Sequence, residues 1–94
     1  MISRTTKRFR AVLSQLPARV QRQTRVAYQR FSQDPQHPSL RFKKVHTTKP
    51  IYSARISFDY RALGVVDGEE VIWFWIGSHS DVTVKQIHLP KNRV

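Results

Sequence analysis

Four histidines and 17 lysines or arginines are the side chains in this 94-residue sequence best suited to move protons at neutral pH or to hold an anion. The histidine best placed for proton transfer is His79, in Gly77-Ser78-His79-Ser80-Asp81. An unperturbed imidazole titrates near ~6.5, so it can give or take a proton at neutral pH. Asp81 is close enough in sequence to orient that ring; otherwise His79 is a polar loop residue. His46, near Lys44, is the second candidate, with a solvated strand end as the other reading. His37 sits near two prolines and reads as a turn residue, and His88 carries no assigned role. The four histidines lack metal-ligand spacing and there is no cysteine, so neither a metal nor another cofactor is expected.

The cations outnumber six acidic residues, for a net charge of +11 and an isoelectric point near 11.2. No acidic residue precedes Asp34, whereas Arg4, Lys7, Arg8, Arg10, Arg19, Arg22, Arg25 and Arg30 all do. Such a field attracts polyanions, so a nucleic acid is the expected partner; an acidic protein fits the same field, as does a plain basic surface. Lys43 and Lys44 are neighbours in a strand-like stretch, so only one can face a given side. Their alternative is a solvated edge that discourages aggregation. Arg55 lies on the polar stripe Ser53, Arg55, Ser57, opposite Tyr52, Ala54, Ile56 and Phe58. Arg61 depends on the loop before it. A two-residue loop at Phe58-Asp59 puts the two arginines on opposite faces, and a three-residue loop or a bulge puts them on one. The second case is expected, because an arginine among Leu63, Ile72 and Phe74 needs a reason to be there. A salt bridge to Asp59 or Asp81 is the alternative for Arg61.

These residues must be positioned by elements that the periodicity outlines. Phe9, Val12, Leu13 and Leu16 share one helical face, predicting a helix over 3–16 capped by Thr5 or Thr6. Pro17 breaks it and opens a second helix over 17–32, with Val20, Thr24, Ala27, Tyr28 and Phe31 inward. Asp34-Pro35-Gln36-His37-Pro38-Ser39 cannot continue a helix. Strands are predicted over 40–46, 51–57, 60–66 and 70–76. Asp67-Gly68 reads as the centre of a two-residue type I′ hairpin, pairing Leu63 with Ile72 and Arg61 with Phe74. The last strand, Val71-Ile72-Trp73-Phe74-Trp75-Ile76, is apolar on both sides and therefore central; its tryptophans read as core rather than base-stacking platforms. Hydrophobic residues make up 39% of the chain, enough for one core in 94 residues. The expected fold is α+β, an N-terminal helical hairpin packed on a four-stranded antiparallel sheet. It forms a single domain over 1–94, with helices in 1–33, the sheet in 40–77 and a tail in 78–94. No apolar region follows the basic N-terminus, so a secretory leader is not expected. No run approaches ~20 apolar residues, which leaves a cytoplasmic protein with no membrane contact as the expectation.

Helix, helix, Asp34-Pro35-Gln36-His37-Pro38-Ser39-Leu40, Lys43-Lys44, Tyr52-Ser53-Ala54-Arg55, Tyr60-Arg61-Ala62 and Trp75-Ile76-Gly77-Ser78-His79 follow one another in this order. Over about residues 3–82 this order and spacing resemble the RelE/ParE toxin superfamily, and within it the HigB/RelE-like proteins. The resemblance implies the toxin of a type II toxin–antitoxin system, held in a hetero-oligomer by a cognate antitoxin protein. It also implies a metal-independent endoribonuclease that cleaves mRNA on the ribosome and so inhibits translation. In such members a ribose 2′-hydroxyl attacks the adjacent phosphate and leaves a 2′,3′-cyclic phosphate. Arg55 and Arg61 match the basic residues that hold that phosphate, and His79 falls where a basic group follows the last strand. Lys43, Lys44, His46 and Asp81 are the accompanying RNA-binding candidates. Two departures stand out: Ser53 replaces a second lysine found in some members, and Val82 follows Asp81 where the subgroup usually has tyrosine. The resemblance leaves two alternatives, a ParE-like poison of DNA gyrase and a catalytically weakened module that binds nucleic acid or antitoxin.

Overall fold

Thr6 decides where the first helix begins. Its hydroxyl accepts a hydrogen bond from the Phe9 N–H at 3.0 Å, which caps α1, Lys7–Ser14, and leaves the residues before it to another element. The computed structural model describes residues 1–81, and in it Ile2–Thr5 is a strand, β1. The helix expected from residue 3 is therefore shorter. α2, Ala18–Gln33, follows across Pro17. The remaining strands are β2, Lys43–Lys44, β3, Ile51–Arg55, β4, Tyr60–Asp67, and β5, Glu70–Ser78. Val82, His88 and the rest of the predicted tail lie outside the described residues.

The sheet has five strands in the order β1-β5-β4-β3-β2, and it is mixed because β1 runs parallel to β5. This corrects the four-stranded antiparallel expectation, and the reason is in β5 itself. A strand apolar on both faces needs a neighbour on each side, since an uncovered edge would leave backbone groups unpaired. β1 supplies that neighbour: the Ile2 N–H donates to the Glu69 carbonyl at 2.8 Å and the Thr6 N–H to that of Trp73 at 3.0 Å.

The β4–β5 turn is displaced by one residue from its predicted position. Asp67 pairs with Glu70, so the central residues are Gly68 and Glu69, and only Gly68 has positive φ, at +61°. Positive φ at the first central position alone is the type II′ pattern, not type I′. A bulge then shifts the pairing between Leu63 and Gly64, so that Leu63 faces Trp75 and Arg61 faces Gly77. The predicted strand over 40–46 also contracts. Pro38–Leu40 forms a 3-10 turn, and Arg41 leaves it in the left-handed region at φ 45° and ψ 44°.

α1 and α2 cover one face of the sheet. Phe9, Ala27 and Phe31 pack there with Ala54, Ala62, Val71, Trp73 and Ile76, and Phe31 meets the Trp73 ring edge-on at 5.4 Å. Tyr28, expected inward, is 51% exposed, because Val20, Thr24, Ala27 and Phe31 already form the inner stripe of α2. The opposite face carries a smaller apolar cluster of Ile51, Leu63 and Phe74. Beside it lies the polar surface of interest.

Candidate active site

The loop between β3 and β4 fixes the two central arginines. The Ile56 N–H donates to the Tyr60 carbonyl at 3.0 Å and the Ser57 N–H to the same oxygen at 3.3 Å, which closes a loop of Ser57, Phe58 and Asp59. With three loop residues, Arg55 and Arg61 are direct cross-strand partners and so project from the same face. That face is the one without helices, since Ala54 and Ala62, the neighbouring pair, point into the helix-covered core. The pairing of β2 with β3 then chooses between the lysines. Lys43 is opposite Ser53, on the arginine face, and Lys44 is opposite Tyr52, on the other.

These residues line a cleft of about 430 Å³ together with Arg41, Val45, Phe58 and His79. Ser53 is buried at its floor. The β5 end is tied to the loop by the His79 N–H, which donates to the Asp59 carbonyl at 2.6 Å. This anchor brings an exposed imidazole beside the guanidiniums. Gly77, across from Arg61, is required for close approach. A Cβ there would lie 2.5 Å from Cζ2 of Trp75, so the half-buried indole lies over a position that must have no side chain.

Arg61 is both anchor and cation. Its Nη1 is shared among the carbonyls of Ser57 at 2.7 Å, Tyr60 at 3.1 Å and Phe58 at 3.2 Å. Partial burial lowers its pKa below the usual arginine value, the neighbouring Arg55 and Arg41 lower it further, and Asp59 acts in the opposite sense. Asp59 does not come within ion-pair distance; among the described residues the ion pair present is Arg4–Glu70, at 3.1 Å. The salt-bridge alternative with Asp59 is thus not what holds Arg61. Arg55 lies over the Phe58 ring, 5.9 Å from its centroid. A partly buried guanidinium beside like charges can take an anion, because an incoming phosphate relieves the repulsion.

A family model described as the ParE-like toxin domain matches residues 18–82. The chain belongs to that family. ParE-like toxins fall in the RelE/ParE superfamily, and the fold agrees with it. YafQ from E. coli strain BL21(DE3) superimposes with a TM-score of 0.68 at 8% identity, covering 85% of this chain and 94% of that one. The YoeB/ParE toxin from Agrobacterium tumefaciens gives a TM-score of 0.66 at 14% identity, with 84% and 99% covered. A chain of the RelB–RelE antitoxin–toxin complex from Methanococcus jannaschii gives 0.65 at 17% identity, with 86% and 95% covered. No curated protein matches the sequence.

Within this ParE-like domain, the cleft brings together Lys43, Arg55, Arg61 and His79 and leaves out two other candidates. Lys44 projects from the opposite face. His46 is used structurally: its Nδ1 accepts from the Lys49 N–H at 3.0 Å and the Thr48 N–H at 3.2 Å, closing the turn before β3. Both bonds use Nδ1, and His46 is not among the residues lining the cleft. Asp81 falls in the 3-10 turn His79–Asp81. His37 similarly organises its own turn, accepting from the Ser39 N–H at 3.2 Å. Among the described residues no cluster of His, Asp or Glu could hold a metal ion, and no helix is long and apolar enough to cross a membrane. Arg41 is the site residue that sequence reasoning missed. Its place is set by the left-handed turn at φ 45°, outside β2, which strand alternation does not predict.

Proposed function

We propose that this ParE-like chain is the toxin of a type II toxin–antitoxin pair and acts as a metal-independent endoribonuclease on ribosome-bound mRNA. The observation that carries this reading is the direct cross-strand pairing of Arg55 and Arg61 in a cleft shared with Lys43, Arg41 and His79. In the reaction the 2′-oxygen forms a bond to phosphorus, the bond from phosphorus to the 5′-oxygen breaks, and a 2′,3′-cyclic phosphate remains. Charge builds on the non-bridging oxygens of the phosphorane-like state. Arg55 and Arg61 are fixed around that position in advance, which is where preorganised cations accelerate a reaction most. Arg41 and Lys43 hold the flanking phosphates. His79 exchanges a proton with the 2′-hydroxyl or the departing 5′-oxygen, and water carries the other proton.

The neutralising partner is a cognate antitoxin whose acidic or amphipathic segment covers the cleft, as its charge requires. The site of action is the cytoplasm, where ribosomes hold mRNA. A second reading, a gyrase poison, draws support from the ParE-like description of the matching family. Expression in bacteria separates the two. The nuclease arrests growth and produces new RNA 5′-hydroxyl ends, and Arg61→Ala relieves both. DNA-damage signalling with intact transcripts would replace the nuclease with the gyrase reading, and undiminished toxicity of Arg61→Ala would remove Arg61 from the mechanism.

A further inference from the structure

The cleft does not end at Arg55. Arg55 and Phe58 also line a second, larger groove of about 720 Å³ on the far side of the β3–β4 loop, walled by α2 and the Pro38–Leu40 turn. Along α2 its wall is the stripe Arg19, Arg22, Val26 and Arg30, spaced by three, four and four residues and hence on one helical face. From Arg19 to Arg30 that stripe covers ~16 Å of helix at ~1.5 Å per residue. Such a track is long for a single anion and suited to successive phosphates. None of the described residues lining it is acidic. Arg30 is steadied at one end by donating to Ser39 Oγ at 3.2 Å.

Phe58 stands at the boundary between the two cavities and is 78% exposed. Its loop is held by the Arg61 bonds to the Ser57, Phe58 and Tyr60 carbonyls, so the ring is presented on a fixed support. Arg55 lies over one face of this ring, which shows the space a planar group needs. Cations alternating with an exposed aromatic ring are the features that bind single-stranded nucleic acid, the rings taking bases and the cations the backbone. An acidic peptide would use the arginines but has no need of an exposed ring in line with the cleft.

We propose that this groove is a second RNA-binding site: it takes the single-stranded RNA that continues from the linkage held by Arg55 and Arg61, and Phe58 stacks a base where the strand passes between the cavities. This rests on reading the cleft as the site of RNA cleavage. Binding of 2′-O-methyl oligonucleotides, which cannot be cleaved by their own 2′-oxygen, tests it with purified full-length protein. The probes are a trinucleotide, which fills the cleft alone, and a nonanucleotide, which also reaches the groove. The double variant Arg19→Ala/Arg22→Ala changes two exposed side chains outside the cleft, and its thermal unfolding checks the fold.

The variant should bind the nonanucleotide about tenfold more weakly, with the slope of log K against log salt reduced by about 1.4 for two phosphate contacts, and bind the trinucleotide as wild type does. Phe58→Ala should weaken the nonanucleotide with little change in that slope. Equal losses on both probes, or none on the nonanucleotide, would overturn the groove. So would a double variant that binds RNA normally but loses its hold on the co-expressed antitoxin, since the groove would then belong to the protein partner. Wild type that binds the nonanucleotide in this pattern yet cleaves no mRNA on translating ribosomes would remove the nuclease reading and leave the groove in place.

Discussion

Arg41 occupies the left-handed region at φ 45°, a conformation that costs a residue with a Cβ ~1–2 kcal/mol. Glycine is the usual occupant of such a position after a helical turn. A strained residue of the wrong type at the rim of a charged cleft suggests that its side chain is retained for what it does there. Arg41→Gly separates the two effects. Strain relief of ~1–2 kcal/mol is offset by ~0.4–1 kcal/mol from the greater freedom of glycine in the unfolded chain. The net gain is then about 0.8 kcal/mol at the middle of these ranges, and each kcal/mol moves the melting temperature of a domain this size by ~4–8 °C. Loss of the repulsion between Arg41 and Arg61 adds to this gain, but only at low salt. Thermal unfolding by circular dichroism should therefore show a rise of several degrees that shrinks without vanishing as salt increases. RNA cleavage should fall about tenfold, the loss expected for one charge-assisted contact of ~1.5 kcal/mol. Arg41→Lys keeps both strain and charge and should resemble wild type in stability. A destabilised Arg41→Gly would refute the strain, and one with full cleavage would refute the assignment of Arg41 to the site.

Lys43→Ala should lower cleavage about tenfold or more, by the loss of one charge-assisted contact, while Lys44→Ala on the opposite face stays close to wild type; matched rate measurements test the β2 pairing. Gly77→Ala should destabilise the fold by ~1–3 kcal/mol through displacement of the Trp75 indole, read as a lower melting temperature with a disturbed tryptophan emission. Inorganic phosphate should stabilise the protein by ~1.4 kcal/mol at ten times its dissociation constant, because it relieves the cost of keeping Arg61 charged. The lowered pKa of Arg61 makes that cost present throughout the pH range below its folded value, so Arg61 itself adds no pH step to the stabilisation near neutrality. Phosphate should have little effect on Arg61→Ala.

The parts of this structure that can be read from sequence are those set by local chemistry. The α2 stripe apart from Tyr28, a threonine cap left open between Thr5 and Thr6, the break at Pro17 and the alternation around Arg55 each follow from residues a few positions apart. The pairing of Arg61 with Arg55 matches the three-residue loop the sequence favours, although Arg61 still shares its face with Leu63. β1 was not legible, since Ile2 to Thr5 has no pattern that distinguishes a strand from a first helical turn; only the open side of β5 settles it. The role of His46 was equally hidden. An imidazole that caps a turn and one that faces a substrate look alike until the backbone donors of Thr48 and Lys49 are in place.

The arrangement of the tryptophans shows most clearly why the rest needed coordinates. Trp73 and Trp75 are two residues apart, which in a regular strand places them on the same face. Here Gly64 pairs with Trp73 and Leu63 with Trp75, leaving Phe74 as the extra residue. The bulge turns Trp73 into the helix-covered core, where it is 6% exposed, and sends Trp75 to the opposite face above Gly77. A bulge re-aims side chains in this way without any change of residue type, and bulges concentrate beside functional sites. One inserted residue therefore does two jobs that a flat strand could not do together. It completes the core around Phe31, and it lays the Trp75 indole over Gly77, the cross-strand partner of Arg61.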